Sequence, residues 1–164
     1  MYHLDHIGIF VKNIPFGIKE LKKIFNVKKK SKIFNDKFLK VKIQFVYDKR
    51  GNCYELVAPF GKNSPVNNVI RSKKNILNHL AFITSNFNKD FNNLIKKGLF
   101  AITMPAKAVA FNNAKIVFLL SPLGFIVELI EKRRNISFHK KRWKEFISIT
   151  SAINSKNNKF ICLI

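Results

Sequence analysis

The chain has 164 residues, 47% of them hydrophobic, which is enough to bury one core and argues against disorder outside the C-terminal end. Its 31 Lys and Arg against nine Asp and Glu give a formal charge of +22, yet the excess of Lys over Arg and the abundance of Asn, Ile and Phe read as AT-rich coding bias before they read as a nucleic-acid footprint. Two cysteines exclude a disulfide framework, and no apolar run reaches the ~18 residues that a membrane span needs.

Residues 4–11 are apolar and β-branched and predict a strand, ended by the turn cluster Lys12-Asn13-Ile14-Pro15. Residues 16–25 set Ile18, Leu21, Ile24 and Phe25 at helical spacing with Lys19, Lys22 and Lys23 between, and predict an amphipathic helix. Strands are expected near 32–34, 40–47 and 53–58, so the first module reads β-α-β-β-β. Residues 59–75, with Gly61, Pro65 and several Asn, read as a connector. The order then repeats: a strand at 76–84, a helix at 89–97 closed by Gly98, and strands near 99–103, 114–120 and 125–130. The N-terminus lacks the charged leader of a secreted chain, and a reducing cytoplasm is the expected location. Residues 133–164 have no counterpart in the first module and are expected to form a helical appendage that lays Trp143, Phe146 and Ile147 on the core, in preference to a tail contacting phosphates or lipid.

The two modules share one frame. Leu4-Asp5-His6-Ile7-Gly8 recurs 73 residues later as Leu77-Asn78-His79-Leu80-Ala81, and residues 41–57 lie over 114–130 without a gap, which marks an internal repeat. The frame superposes two pairs, His6 with Glu55 and His79 with Glu128, each separated by 49 residues. A lone strand histidine is more often a core or surface residue than a ligand, but coincidence must then account for four matched residues at once. Glu55 and Glu128 stand in apolar strands, where an unpaired carboxylate is costly to bury, and a metal would supply the missing partner. Two His and two Glu form an N/O site for a divalent ion, with Co, Ni, Mn, Zn and Fe all acceptable, and leave positions for a substrate. Gly8 and Ala81, two positions beyond each His on the same strand face, leave room beside it. His3 and His139 have no repeat counterparts and read as surface residues.

The runs DHIGIFVKNI, YELVAPFGKNSPVNNVI, NHLAFIT and SPLGFIVELIE resemble the vicinal oxygen chelate (glyoxalase/bleomycin resistance/dioxygenase) superfamily, and within it the methylmalonyl-CoA epimerase-like members, over about residues 3–131. The resemblance implies an α+β fold: a domain at 1–132 whose paired βαβββ modules, about 1–62 and 74–132, form a curved mixed sheet around a metal-site cleft. It places the family's metal ligands on His6, Glu55, His79 and Glu128. It also implies proton abstraction next to a carbonyl, with Glu128 as both ligand and proton acceptor. Similar epimerases carry a further carboxylate on the strand before the first ligand Glu; that strand here has none, and Gln44 stands in its place as a hydrogen-bond donor. Epimerases of this kind commonly have Gln where this chain has Glu55, and bacterial glyoxalases have Glu, so a glyoxalase-type lyase is the alternative. A non-enzymatic basic small-molecule-binding protein of the same fold is a further one, opposed by the complete ligand set. Expected partners are a small-molecule substrate, with an acyl-CoA thioester among the candidates, and a second copy in a homodimer; no specific nucleic acid is expected.

Overall fold

Asn13 and Asn86 open the two long helices, and they do so by the same bond. Asn13 Oδ1 accepts the amide of Phe16 at 2.8 Å and Asn86 Oδ1 that of Lys89 at 3.3 Å, satisfying an amide that a first turn leaves free. Pro15 sits inside the first turn of its helix, where its missing N–H costs nothing, so the expected turn cluster is the helix start itself.

The computed structural model describes residues 2–74 and 76–132. In chain order these form β1 Tyr2–Phe10, α1 Ile14–Ile24, β2 Val27–Lys30, β3 Phe34–Asp36, β4 Val41–Asp48, β5 Cys53–Pro59, α2 Val66–Ser72, β6 Leu77–Thr84, α3 Phe87–Lys96, β7 Phe100–Ala101, β8 Ala106–Ala108, β9 Ala114–Leu120 and β10 Ile126–Glu131, with a 3-10 turn at Val109–Phe111. The expected appendage, with Trp143, Phe146, Ile147 and His139, lies outside the described residues. Among the described residues no helix is long and apolar enough to cross a membrane.

The strands make one curved, mixed α+β sheet in the order β2-β4-β5-β1-β6-β10-β9-β7, with β3 also on β4 and β8 on β9. Its centre is the antiparallel β1/β6 ladder, in which Ile7 faces Leu80, His6 faces Ala81 and Gly8 faces His79. Either side of it the same pairings recur 73 residues apart. Gly8 lies beside Glu55 and Ala81 beside Glu128 in parallel; Phe45 faces Glu55 and Phe118 faces Glu128 in antiparallel. The Ile7/Leu80 pair therefore marks a pseudo-twofold between the halves.

Strand alternation gives the sheet two apolar faces. On one, Leu21 of α1 packs over Val46, Tyr54 and Leu56, and Phe87 and Leu94 of α3 pack over Leu119, Val127 and Leu129. Each fully buried leucine there contributes about 1.5–3 kcal/mol. The lysines of α1 take the opposite, exposed side, as its spacing predicts, but Ile24, expected with the apolar residues, joins them at the helix end and is 73% exposed. Gly51 and Gly124 turn the β4/β5 and β9/β10 hairpins at φ 81° and 83°, where a side chain would be strained.

Two features differ from expectation. The strand expected near 32–34 is an edge strand broken in two, β2 and β3, both on β4. At the break the Phe45 amide donates to Ser31 Oγ at 3.1 Å, and the Ser31 amide donates to the Phe45 carbonyl at 2.9 Å. The other half does the same: the Phe118 amide donates to Thr103 Oγ1 and the Ile102 amide to the Phe118 carbonyl, both at 3.0 Å. A short hydroxyl takes the place of a backbone carbonyl, so pairing stops without stranding an amide. The second feature is α2, inside the stretch expected as a plain connector. Its asparagines have poor helix propensity, and burial of Val66 holds it in place.

Candidate metal centre

The site lies on the face of the sheet away from α1 and α3. His6 and His79 come from the two central strands, Glu55 and Glu128 from the strands flanking them. The ladder sets a small residue opposite each imidazole, Ala81 for His6 and Gly8 for His79. The second contact is so close that a Cβ on Gly8 would fall 2.0 Å from His79 Cε1. All four residues are buried, none more than 4% exposed.

Their ligating atoms converge. His6 Nε2 lies 3.2 Å from His79 Nε2, 3.6 Å from Glu55 Oε2 and 3.4 Å from Glu128 Oε2; His79 Nε2 lies 3.2 and 3.4 Å from the same two oxygens. One ligand atom from each of the four falls within 4.8 Å of all the others. On their far sides the rings are held by acceptors: His6 Nδ1 is 2.9 Å from Asp5 Oδ2, and His79 Nδ1 is 2.9 Å from Asn78 Oδ1. Each ring therefore donates from Nδ1 and turns a lone pair inward from Nε2. Two lone pairs and two carboxylates facing one point form a set of acceptors with no donor among them. Glu128 Oε2 is buried without a hydrogen-bond partner.

A cation resolves this arrangement. Two imidazole nitrogens and two carboxylate oxygens drawn together within 4.8 Å are the donors that a divalent cation takes. The residues present thus fit a divalent metal. For the protein alone, a proton takes part of that role. Burial works against a charged His6, but the Glu55 charge, the hydrogen bond with Asp5 and the nearby Glu128 and Glu55 carboxylates outweigh it and hold its pKa well above 6.5. Burial likewise works against the Glu55 carboxylate, but the charges and hydrogen bonds of His6 and His79 hold its pKa down at about 2.

Beside the cluster opens a cleft of about 370 Å3, with Phe10, Ile43, Val57, Ile116 and Phe118 among its walls. Phe111 stacks on His6, ring centroids 5.7 Å apart and planes 17° from parallel. Gln44, expected as a donor at the site, is not there. It faces Leu56 across the β4/β5 ladder, on the helix-covered side, and its amide donates to the Ser31 carbonyl at 2.6 Å. The β4 residues that face the site are Ile43 and Phe45, because successive residues of a strand alternate sides. Sequence reasoning missed Asp5, Asn78 and Asp36. The first two were visible as matched neighbours of the two histidines; Asp36, buried in the cleft wall with Oδ1 accepting the Leu39 amide at 2.8 Å, has no repeat signal.

The fold has known counterparts. A structure described as a hypothetical protein from Bacillus halodurans C-125 is 26% identical, with a TM-score of 0.67 over 82% of this chain and 96% of that one. Methylmalonyl-CoA epimerase from Mycobacterium tuberculosis is 19% identical, with a TM-score of 0.65 over 82% of this chain and 90% of that one. The Streptomyces coelicolor methylmalonyl-CoA epimerase, in complex with 2-nitronate-propionyl-CoA, is 19% identical, with a TM-score of 0.60 over 80% of this chain and 94% of that one. Comparison with curated protein sequences gives no match. The model of the Glyoxalase/Bleomycin resistance protein/Dioxygenase superfamily matches residues 5–118, a span that holds His6, Glu55 and His79. By that match over most of its length, and by a fold shared with methylmalonyl-CoA epimerases, the chain belongs to this superfamily, the vicinal oxygen chelate superfamily.

Proposed function

We propose that this protein is a metal-dependent epimerase or isomerase that moves a proton at the carbon next to a carbonyl of a small acyl substrate. The observation that carries the reading is the buried acceptor-only cluster at the wall of a ligand-sized cleft. His6, Glu55, His79 and Glu128 would hold the ion, and when bound it supplies Lewis acidity that lowers the cost of negative charge on the substrate oxygen. The rest is done by the chain. Asp5 and Asn78 fix the two imidazoles by their Nδ1 hydrogens. The apolar walls exclude water, which strengthens every charge interaction inside. Glu128 takes the proton: as the C–H bond breaks, its electron pair moves to the carbonyl oxygen and the proton to the carboxylate oxygen of Glu128 that does not hold the ion. Glu128 then returns the proton to the carbon, on either face of the planar centre, which completes the exchange.

A glyoxalase-type lyase is the second reading, favoured by a carboxylate at Glu55 where similar epimerases commonly carry an amide. An acyl-CoA thioester as substrate, a homodimer and a cytoplasmic location complete the proposal. The test is deuterium exchange by metal-loaded protein in D2O, supplied in turn with methylmalonyl-CoA, a 2-methyl-branched alkanoyl-CoA and the hemithioacetal of methylglyoxal and glutathione. Label at the α carbon of a thioester, lost with Glu128→Gln, supports epimerisation. Turnover of the hemithioacetal alone moves the assignment to the lyase, and exchange with none of the three overturns proton transfer as the reaction.

A further inference from the structure

The cleft beside the four-residue cluster differs in chemistry from the rest of the molecule. The chain carries 31 Lys and Arg, yet none of them lines the cleft among the described residues. Fourteen of the twenty lining residues are apolar, so the walls decide what fits. The ionisable residues among them are Glu55, His79 and Glu128, which belong to the cluster, and Asp36. The polar groups that remain are largely engaged: Thr103 Oγ1 accepts the Phe118 amide, Asn78 Oδ1 the His79 ring proton, and Asp36 Oδ1 the Leu39 amide.

We propose that the part of the substrate that enters this cleft beyond the chelating atoms is an uncharged hydrocarbon arm of its acyl group, and that a carboxylate-ended arm is excluded from it. The proposal rests on reading the cluster as the chelating site and specifies the substrate class for it. A carboxylate reaching past the chelating site into the cleft would lose its water, meet no Lys or Arg side chain among the described residues, and face Asp36, itself buried in the wall. A methylene chain or small ring would instead displace water from walls such as Ile43, Val57 and Ile116.

Hydroxamates test this, because all of them chelate through the same two oxygens while the arm is varied. Zinc-loaded protein is titrated calorimetrically with acetohydroxamate, hexanohydroxamate and adipic acid monohydroxamate. The expected result is a gain of up to about fourfold per added methylene from the first to the second, and at least tenfold weaker binding of the third than of the second. Equal or tighter binding of the carboxylate-ended compound overturns the proposal. The arm is also read without metal, by following the methyl resonances of Ile43 and Ile116 in metal-free protein as 1-hexanol is added. Saturable shifts support the hydrocarbon site; their absence overturns it. If acetohydroxamate fails to bind while hexanol still does, the chelating site falls and the hydrocarbon cleft stands, so the two failures are distinguishable. Ile102→Lys places a cation on the cleft wall at a residue that is 44% exposed, where folding should be spared. It should cut the hexano-to-adipic preference at least tenfold; an unchanged preference also overturns the assignment.

Discussion

Gly8 lies across the ladder from His79, and a methyl group there would overlap the imidazole, whereas Ala81, in the equivalent place opposite His6, already carries one. The two half-sites are thus matched in residue type and unequal in clearance. Gly8→Ala should displace His79 and weaken zinc binding by about 10- to 100-fold, read by calorimetric titration, while Ala81→Gly changes it far less. The rings' outer partners are unequal as well, a carboxylate for His6 and an amide for His79. Asp5→Asn should lower zinc affinity by about tenfold or more in the same titration, with the far-ultraviolet spectrum unchanged. Without metal, the charges themselves set a pH window. Glu55 has its pKa lowered from 4.5 to about 2, so its stabilisation is present above 4.5 and lost as pH falls toward 2. His6 has its pKa raised, so its contribution is full below 6.5 and lost as pH climbs through the higher folded value. The thermal midpoint of metal-free protein should therefore fall on both sides of a mildly acidic maximum. Zinc should abolish the alkaline loss, because ligand histidines must be neutral to bind. His6, Glu55, His79 and Glu128 were legible because a repeat frame converts sequence spacing into spatial convergence. Gln44 was misjudged because a strand's facing depends on a one-residue phase that a single sequence leaves open.

The elements repeat their local devices as faithfully as their order. Asn13 and Asn86 each cap a helix, and Asn13→Ala and Asn86→Ala should each cost about 1 kcal/mol in urea unfolding. The caps belong to different helices and share no partner, so the double variant should lose the sum within about half a kcal/mol. The bounds of β9 were readable to the residue from its apolar pattern, and those of β1, β5 and β6 to within two. The broken edge strands were not, since the break is made by a serine and a threonine acting on amides of another strand, a long-range bond with no local signature. The halves also diverge beneath their helices. Gly17 packs against Val11 in one, while in the other the Thr84 hydroxyl donates to the buried Asp90 carboxylate. That exchange of an apolar contact for a polar one leaves the backbone plan intact, and periodicity alone could not distinguish them.

At the scale of the whole described domain, the central ladder runs between strands from opposite halves and the sheet is continuous across it. Neither half has its own closed core boundary at that ladder, because β1 pairs with β5 on one side and β6 on the other. Unfolding should accordingly be a single transition, with tryptophan-independent probes such as far-ultraviolet dichroism and tyrosine absorbance coinciding; two separated transitions would show that the halves fold independently. The pairing that joins the halves also divides the cluster evenly between them, one histidine and one glutamate from each.

That division makes the stretch between β5 and β6 more than a tether. A chain nicked there would yield two pieces, each bearing an incomplete set of donors, and an ion that needs all four could be satisfied solely by their reunion. Dissociation of the pieces would then depend on free metal as well as on their own concentrations. Chelator would drive them apart, and an ion held by all four residues would act as the rivet between two polypeptides.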